Sequence, residues 1–342
     1  MVVDDSPYMR RLLSDMVASA GMRVTDAAAD GQEALRKLAR RRPDVVLLDL
    51  EMPRMDGLEF LERVMEENPL PVVAVSGHGQ RGTQIFFDAL ESGAVDFLPL
   101  NDHGSTNLQG LESLLAIKIR AAARANPDAL AHRRLARTPL PKPKIQAPHA
   151  SASKVVVIGG STGAPTVVQH ILSELPRDLP AGLLIVQHML ASLTGAFARR
   201  LNEVSELEVK EAAGGEVVTD GLALLAPGDH HMVVGPKHRV ELNQGPKRQG
   251  VRPSINALMV SASEVFRDNT VGVLLSGMGH DGAFGMKIIK RGGGTTMAQD
   301  EGSSVIFGMA KTAFGEKSVD KLVPAGRMSR EIVRAVEEVG EE

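Results

Sequence analysis

The chain contains no cysteine among its 342 residues, which excludes disulfides, thiolate metal sites and a cysteine nucleophile. It has no tryptophan and one tyrosine, so stacking on nucleic-acid bases is not an expected mode of action. It also lacks a strong charge of either sign. A formal net charge of −3 makes no electrostatic case for nucleic acid as a partner. No apolar run approaches the roughly 20 residues of a membrane span, and the first residues do not read as a signal peptide. A cytoplasmic α/β protein of roughly two domains, with no direct membrane insertion, is the expectation.

Proline and basic residues are concentrated in one place. Residues 126–153, NPDALAHRRLARTPLPKPKIQAPHASAS, hold five prolines and a single acid, and show little periodic apolarity. They read as a flexible linker between a domain at 1–125 and a domain at 154–342.

The first domain alternates strand and helix. Val2-Val3 is a strand end, and 7–20 reads as a helix with apolar Met9, Leu12, Leu13, Met16 and Val17. Val45–Leu48, Pro71–Val75 and Val95–Leu98 read as buried strands, with helices at 31–41, 57–68 and 108–125. This alternation implies a doubly wound parallel sheet with its functional groups at the carboxyl ends of the strands. Asp4 and Asp5 end the first strand and Asp49 ends the second. Three carboxylates at one sheet edge repel each other unless a cation lies among them, and oxygen ligands suit Mg²⁺.

The second domain is α/β again. Val155-Val156-Val157-Ile158 runs into Gly159-Gly160-Ser161-Thr162-Gly163, a buried strand ending in a glycine turn that exposes a hydroxyl. Leu183–Val186 leads to Gln187 and His188, and Val271–Leu275 leads to Ser276-Gly277-Met278-Gly279-His280-Asp281. Parallel strands bring Ser161, His188 and Asp281 to one edge, supplying the nucleophile, base and base-orienting acid of acyl transfer. The glycines around Met278 free its N–H for a developing oxyanion. The glycine turn by itself is equally suited to a phosphate. Among rival histidines, His280 competes as the base, His230 and His231 follow a turn at Ala226–Asp229, and His170 is expected to face solvent on the helix after Ser161.

Two resemblances follow from these motifs. VVDDS and LLDLEMPRMDG make residues 1–125 similar to a response-regulator receiver domain, a flavodoxin-like fold of five parallel strands. That resemblance implies Asp49 as phosphoacceptor. It implies a Mg²⁺ site from Asp4, Asp5, Asp49 and the Glu51 backbone carbonyl, Ser76 as switch hydroxyl and Phe97 at the switch-aromatic position. The chain departs from the pattern at Leu100, where the family has lysine. It also has few residues ahead of Asp4, so a misassigned start or a weakened receiver is expected.

IGGSTGAP, VQHM, APGDHHM, RPSINALMVSAS, LSGMGHDGAFGM and AQDEGSSVIFGM make residues 154–325 resemble the chemotaxis protein-glutamate methylesterases, with variable sequence only near 235–249. The family often carries Ala and Gly where this chain has Gly160 and Ala164. The resemblance implies Ser161, His188 and Asp281 as triad and the Met278 amide as oxyanion donor, with no cofactor for the esterase. It implies hydrolysis of glutamyl methyl esters on chemotaxis receptors, a chemotaxis histidine kinase as phosphodonor, and receptor glutamine deamidation in some relatives. A general serine esterase and a binding module with a vestigial esterase half are the alternative readings.

Overall fold

The computed structural model describes residues 1–77, 80–100, 108–126, 129–130 and 151–339, with the side chains of 76–83, 99 and 108–109 outside that description. The chain divides into two compact units, Met1–Arg134 and Leu135–Glu342.

The first unit runs β1 (Val2–Val3), α1 (Pro7–Ser19), β2 (Ala27–Ala28), α2 (Gly31–Leu38), β3 (Val46–Asp49), α3 (Gly57–Glu67), β4 (Val72–Gly77), α4 (Gln80–Glu91), β5 (Asp96–Leu100) and α5 (Leu108–Ala122). Its five strands form a parallel sheet in the order β2-β1-β3-β4-β5. Helix starts follow side-chain chemistry. Ser6 caps α1 ahead of Pro7, Asp30 caps α2 and Asp56 caps α3, each accepting a first-turn N–H. β1 is short yet central. It pairs with β2 and β3, and Met1 extends it through hydrogen bonds with Val45 and Leu47. β2 was not expected, because two alanines carry no β-branched signature.

The second unit runs β6 (Val155–Gly160), α6 (Pro165–Glu174), β7 (Gly182–Gln187), α7 (Ala191–Val204), β8 (Glu208–Glu211), β9 (Leu222–Leu225), β10 (His231–Gly235), β11 (Arg239–Asn243), α8 (Ile255–Phe266), β12 (Thr270–Leu274), α9 (Ala283–Arg291), β13 (Thr295–Gln299), α10 (Met309–Gly315), β14 (Lys321–Val323) and α11 (Met328–Glu338). Seven strands form a parallel sheet in the order β14-β13-β12-β6-β7-β9-β8, and β10 and β11 form a separate antiparallel hairpin. β6 and β7 are buried along their whole length, as strands covered by helices on both faces must be. Chain order reverses between β6 and its neighbours β7 and β12. This switch point is where open α/β sheets leave a crevice at the carboxyl edge.

Most of the expected linker, residues 127–128 and 131–150, lies outside the described residues. Described residues within the expected linker pack at its two flanks. Ala129 and Leu130 are buried in the first unit's portion of the chain. Ser151 bridges to Thr219, and Ala152 is buried with its N–H on Val218 O at 3.0 Å. Small residues that look like tether by composition here complete a packed surface. No helix among the described residues is long and apolar enough to cross a membrane.

Candidate active site and phosphoacceptor site

Ladder register brings the catalytic candidates together. Gly159 pairs with Val186 and Gly160 with Gln187 on one side, and Gly159 pairs with Leu274 on the other. The ladder continues past the strand ends. The His188 N–H donates to Gly160 O at 2.9 Å, and the Ser161 N–H donates to Ser276 O at 3.0 Å. Ser161 and His188 therefore follow paired strand ends whose spacing is about 4.8 Å. The turn after Ser161 is closed by the Ala164 N–H on Ser161 O at 3.0 Å, with Gly163 at φ 82°. Only glycine adopts that left-handed conformation cheaply.

The His188 ring lies 3.0 Å from Asp281 through Nε2 to Oδ2, and both side chains are largely buried. With Nε2 donating to the carboxylate, Nδ1 is left as the acceptor for a hydroxyl proton. Asp281 does not float in the cleft. Oδ1 also accepts from Ser254 Oγ at 3.0 Å and from the Asn256 N–H at 3.0 Å, and Oδ2 accepts from the Ile255 N–H at 2.7 Å. The acid thus sits on the N-terminus of α8, where free N–H groups and the helix dipole favour a negative charge. Burial pushes the Asp281 carboxyl up, but the hydrogen bond and charge of His188 and the two backbone N–H groups outweigh it and hold it below the usual carboxylate range.

The candidate oxyanion donor, the Met278 N–H, lies in the turn after β12. The Gly277 N–H donates to Ile306 O at 3.0 Å and Gly277 O accepts from the Met309 N–H at 2.9 Å, whereas the Met278 N–H has no acceptor among the described residues. A β-carbon on Gly277 would meet the Met309 methyl and fall 2.6 Å from Ser161 Cβ, so Ser161 and the turn that carries Met278 are in direct contact. Two buried glutamines brace this edge. Gln187 Nε2 donates to Ser161 O at 2.9 Å and His188 O at 3.3 Å, and Gln299 Oε1 accepts the Ser276 N–H at 2.9 Å. Ser276 Oγ in turn donates to Thr162 O at 2.9 Å and accepts the Ile306 N–H at 3.0 Å.

The other histidines separate. His231 is buried, its Nδ1 accepting the Ser254 N–H at 3.1 Å and its Nε2 donating to Pro246 O at 3.1 Å, which makes it a brace for the residue that holds Asp281. His230 lies near the turn with Nδ1 3.3 Å from Gly228 O. His280 is exposed, and none of the four donors on Asp281 comes from it. The expectation that His170 faces solvent is corrected: its side chain is 13 % exposed, beside Glu174 at 3.7 Å. Position 170 falls on the flank of α6 that packs inward, which a lone residue on a mixed helix does not reveal.

In the first unit, the side-chain oxygens of Asp4, Asp5 and Asp49 lie within 4.8 Å of one another. Burial, with the charges of Asp49 and Asp5 adding to it against the Ser6 N–H, pushes Asp4 up to about 6. Burial, with the charges of Asp5 and Glu51 adding, likewise raises Asp49. Such carboxylates, strained by burial and like charge, suit a hard divalent cation. Glu51 lies in the loop just past Asp49 and donates its N–H to Asp49 Oδ1 at 3.2 Å. Phe97 is buried against Phe86 of α4, ring centroids 4.6 Å apart. Ser76 lies one residue before the end of β4, paired with Pro99 of β5, and its side chain lies outside the described residues.

The family described as CheB methylesterase matches residues 156–332, and that described as response regulator receiver domain matches residues 1–100. A protein-glutamate methylesterase/protein-glutamine glutaminase of Pyrococcus abyssi is 44 % identical over 342 residues, covering 98 % of this chain and 93 % of its own. The chain belongs to the CheB methylesterase family. A relative of the same printed name from Archaeoglobus fulgidus is 37 % identical, covering 98 % of this chain and 97 % of its own. The crystal structure of the Thermotoga maritima CheB methylesterase catalytic domain aligns with a TM-score of 0.52 at 38 % identity, over 54 % of this chain and 99 % of that one.

Positions 160 and 164 pack against each other. A β-carbon on Gly160 would fall 2.6 Å from Ala164 Cβ and 2.8 Å from Gln187 Oε1. The two positions therefore have room for one methyl, which this chain places on Ala164. Gly160→Ala alone is expected to destabilise the catalytic unit by about 1–3 kcal/mol through overpacking. Adding Ala164→Gly should recover most of that loss, a coupling that thermal unfolding of both single variants and the double would measure. A neutral Gly160→Ala would contradict it.

Proposed function

We propose that this chain hydrolyses glutamate γ-methyl esters on methyl-accepting chemotaxis receptors, releasing methanol, and deamidates receptor glutamines as its relatives' names indicate. The His188–Asp281 pair at the strand end beside Ser161 carries this reading. His188 Nδ1 takes the proton from Ser161 Oγ as that oxygen attacks the ester carbonyl. The Met278 N–H faces the carbonyl oxygen as it becomes negative. Collapse of the tetrahedral species breaks the bond to methoxide, which leaves as methanol with the proton held by His188. Water, deprotonated by the same ring, then cleaves the acyl-enzyme to a glutamate carboxylate and free Ser161. A glutamine side chain follows the same path with ammonia as the leaving group.

The receiver unit is the regulatory half. Asp49 is its phosphoacceptor and a chemotaxis histidine kinase its phosphodonor. Asp4, Asp5, Asp49 and the Glu51 carbonyl would hold Mg²⁺, which supplies charge neutralisation for phosphoryl transfer. Ser76 and Phe97 are the switch residues, and the cytoplasm is the compartment where such partners meet.

Methanol release from methylated receptor, set beside a panel of small esters and run with and without an acyl-phosphate donor and Mg²⁺, tests the reading. Receptor turnover well above that of any small ester is expected; the reverse preference would make the chain a general serine esterase. Leu100 leaves no ammonium at the end of β5 to pair with a phosphate on Asp49. The phosphodonor is therefore expected to raise the rate by less than about twofold, and by severalfold in Leu100→Lys, where a charge-assisted bond becomes available. Several-fold activation of the native chain would refute that expectation.

A further inference from the structure

The segment between β11 and α8 carries the basic sequence Pro246-Lys247-Arg248-Gln249-Gly250-Val251-Arg252. It is a built structure and not a loose loop. The Arg248 N–H donates to Val251 O at 3.1 Å and the Val251 N–H to Arg248 O at 3.0 Å, closing a two-residue turn in which Gln249 and Gly250 have φ of 52° and 82°. Both central residues in the left-handed region make the tight turn suited to a hairpin. Arg252 clamps its base, donating to Gln244 O at 2.9 Å, Gly245 O at 2.8 Å and Asp229 Oδ1 at 2.6 Å.

This finger is joined to the catalytic machinery by a short chain of buried contacts. Pro246 O accepts from His231 Nε2, His231 Nδ1 accepts from the Ser254 N–H, and Ser254 Oγ donates to Asp281. Its tip is exposed from Pro246 to Gly250. Neither Lys247 nor Arg248 has a side-chain hydrogen bond or ion pair among the described residues, and the charge of Lys247 helps to hold the Asp229 carboxyl below its ordinary range, after the hydrogen bond from Arg252. Two exposed cations without a direct ion pair among the described residues thus sit on a turn whose base is hydrogen-bonded, through His231 and Ser254, to Asp281.

We propose that the Lys247–Arg248 finger is a docking contact for acidic stretches of the protein substrate. This inference rests on the protein-ester reading above and extends it. Each turnover converts a neutral ester into a carboxylate, so a substrate with several glutamyl groups grows more acidic as it is processed. Rim cations of this kind act on encounter and on apparent affinity, and they leave the bond-breaking step alone. The finger would hold a partly hydrolysed substrate near the triad while the remaining esters are cleaved.

The test compares the native full-length chain with the double variant K247Q/R248Q, using methylated receptor and a small neutral methyl ester. For the receptor, KM is expected to rise about three- to tenfold with kcat unchanged, from two exposed ion pairs. The native KM should also rise with ionic strength more steeply than that of the variant. Small-ester kinetics should be identical. An unchanged receptor KM and salt slope, or an equal loss on the small ester, would overturn the proposal. A separate arm measures binding of a Glu-rich helical peptide to Ser161→Ala with and without K247Q/R248Q. That arm needs no turnover, so a native chain inactive on the receptor would refute the protein-ester reading without deciding the peptide contact. Equal peptide affinity in the two would refute the contact itself.

Discussion

Ser161→Ala is expected to reduce ester hydrolysis by about 10⁴-fold or more while leaving the fold intact, because members of a nucleophile–base–acid set fail as a unit. The side chain it removes has no hydrogen bond that supports the fold among the described residues; the turn is held by backbone, through the Ser161 N–H on Ser276 and the Ser161 carbonyl on Ala164 and Gln187. Loss of rate with an unchanged unfolding temperature is therefore the expected pair of results. His188→Ala should fall as far, and the double variant little further, since neither residue acts without the other. A Ser161→Ala enzyme retaining a tenth of the native rate would move the nucleophile elsewhere. The same outcome would favour the phosphate-holding reading of the glycine turn, because a phosphate cradle of backbone N–H groups survives removal of one hydroxyl.

Much of this site was legible in the sequence, for one physical reason. A buried parallel strand is a short run of β-branched and aliphatic residues, and whatever follows it lands on the carboxyl edge. Val155–Ile158, Leu183–Val186 and Val271–Leu275 are such runs, and Ser161, His188 and Asp281 all follow them. Three of the strands that escaped notice lack that signature. Ala27–Ala28 has no branching, Leu222–Leu225 reads as readily helical, and Lys321–Val323 is three residues long. The braces escaped for another reason. Ser254 lies 27 residues from the carboxylate it holds, and Gln299 lies 23 residues from the Ser276 N–H it accepts. Neither spacing has a period to detect. Ser254 did carry one local signal, a serine placed directly before an apolar helix, and the structure gives that cap two functions: it accepts the Ala257 N–H and donates to Asp281. His230 and His231 were indistinguishable as neighbours after a turn; strand β10 buries His231 against Ser254 and leaves His230 at the turn.

Asp281→Asn is the second substitution of large expected effect, and it differs from Ser161→Ala in harming the fold as well as the rate. The native carboxylate receives four donors, His188 Nε2, the Ile255 N–H, the Asn256 N–H and Ser254 Oγ. A carboxylate accepts at both oxygens, but an amide places an N–H₂ at one of them. If that group faces His188, the imidazole must turn acceptor at Nε2 and carry its proton on Nδ1, the tautomer that is unable to take a proton from Ser161, and the Ile255 N–H is left against another donor. If the amide is turned over, the Asn256 N–H is opposed instead. A loss of about 10³- to 10⁴-fold in kcat is expected from the wrong tautomer. One buried donor left unpaired costs about 1–3 kcal/mol of stability. The pH dependence supplies an independent check. A carboxyl held below its ordinary pKa contributes stability that is present above the unfolded value near 4 and is lost as pH falls through the depressed folded value. The asparagine variant should lack that acid-side contribution, so its stability deficit relative to the native chain should narrow between neutral pH and pH 3. A deficit constant across that range, or a variant as fast as the native enzyme, would show that Asp281 does not hold His188 in the way its four contacts indicate.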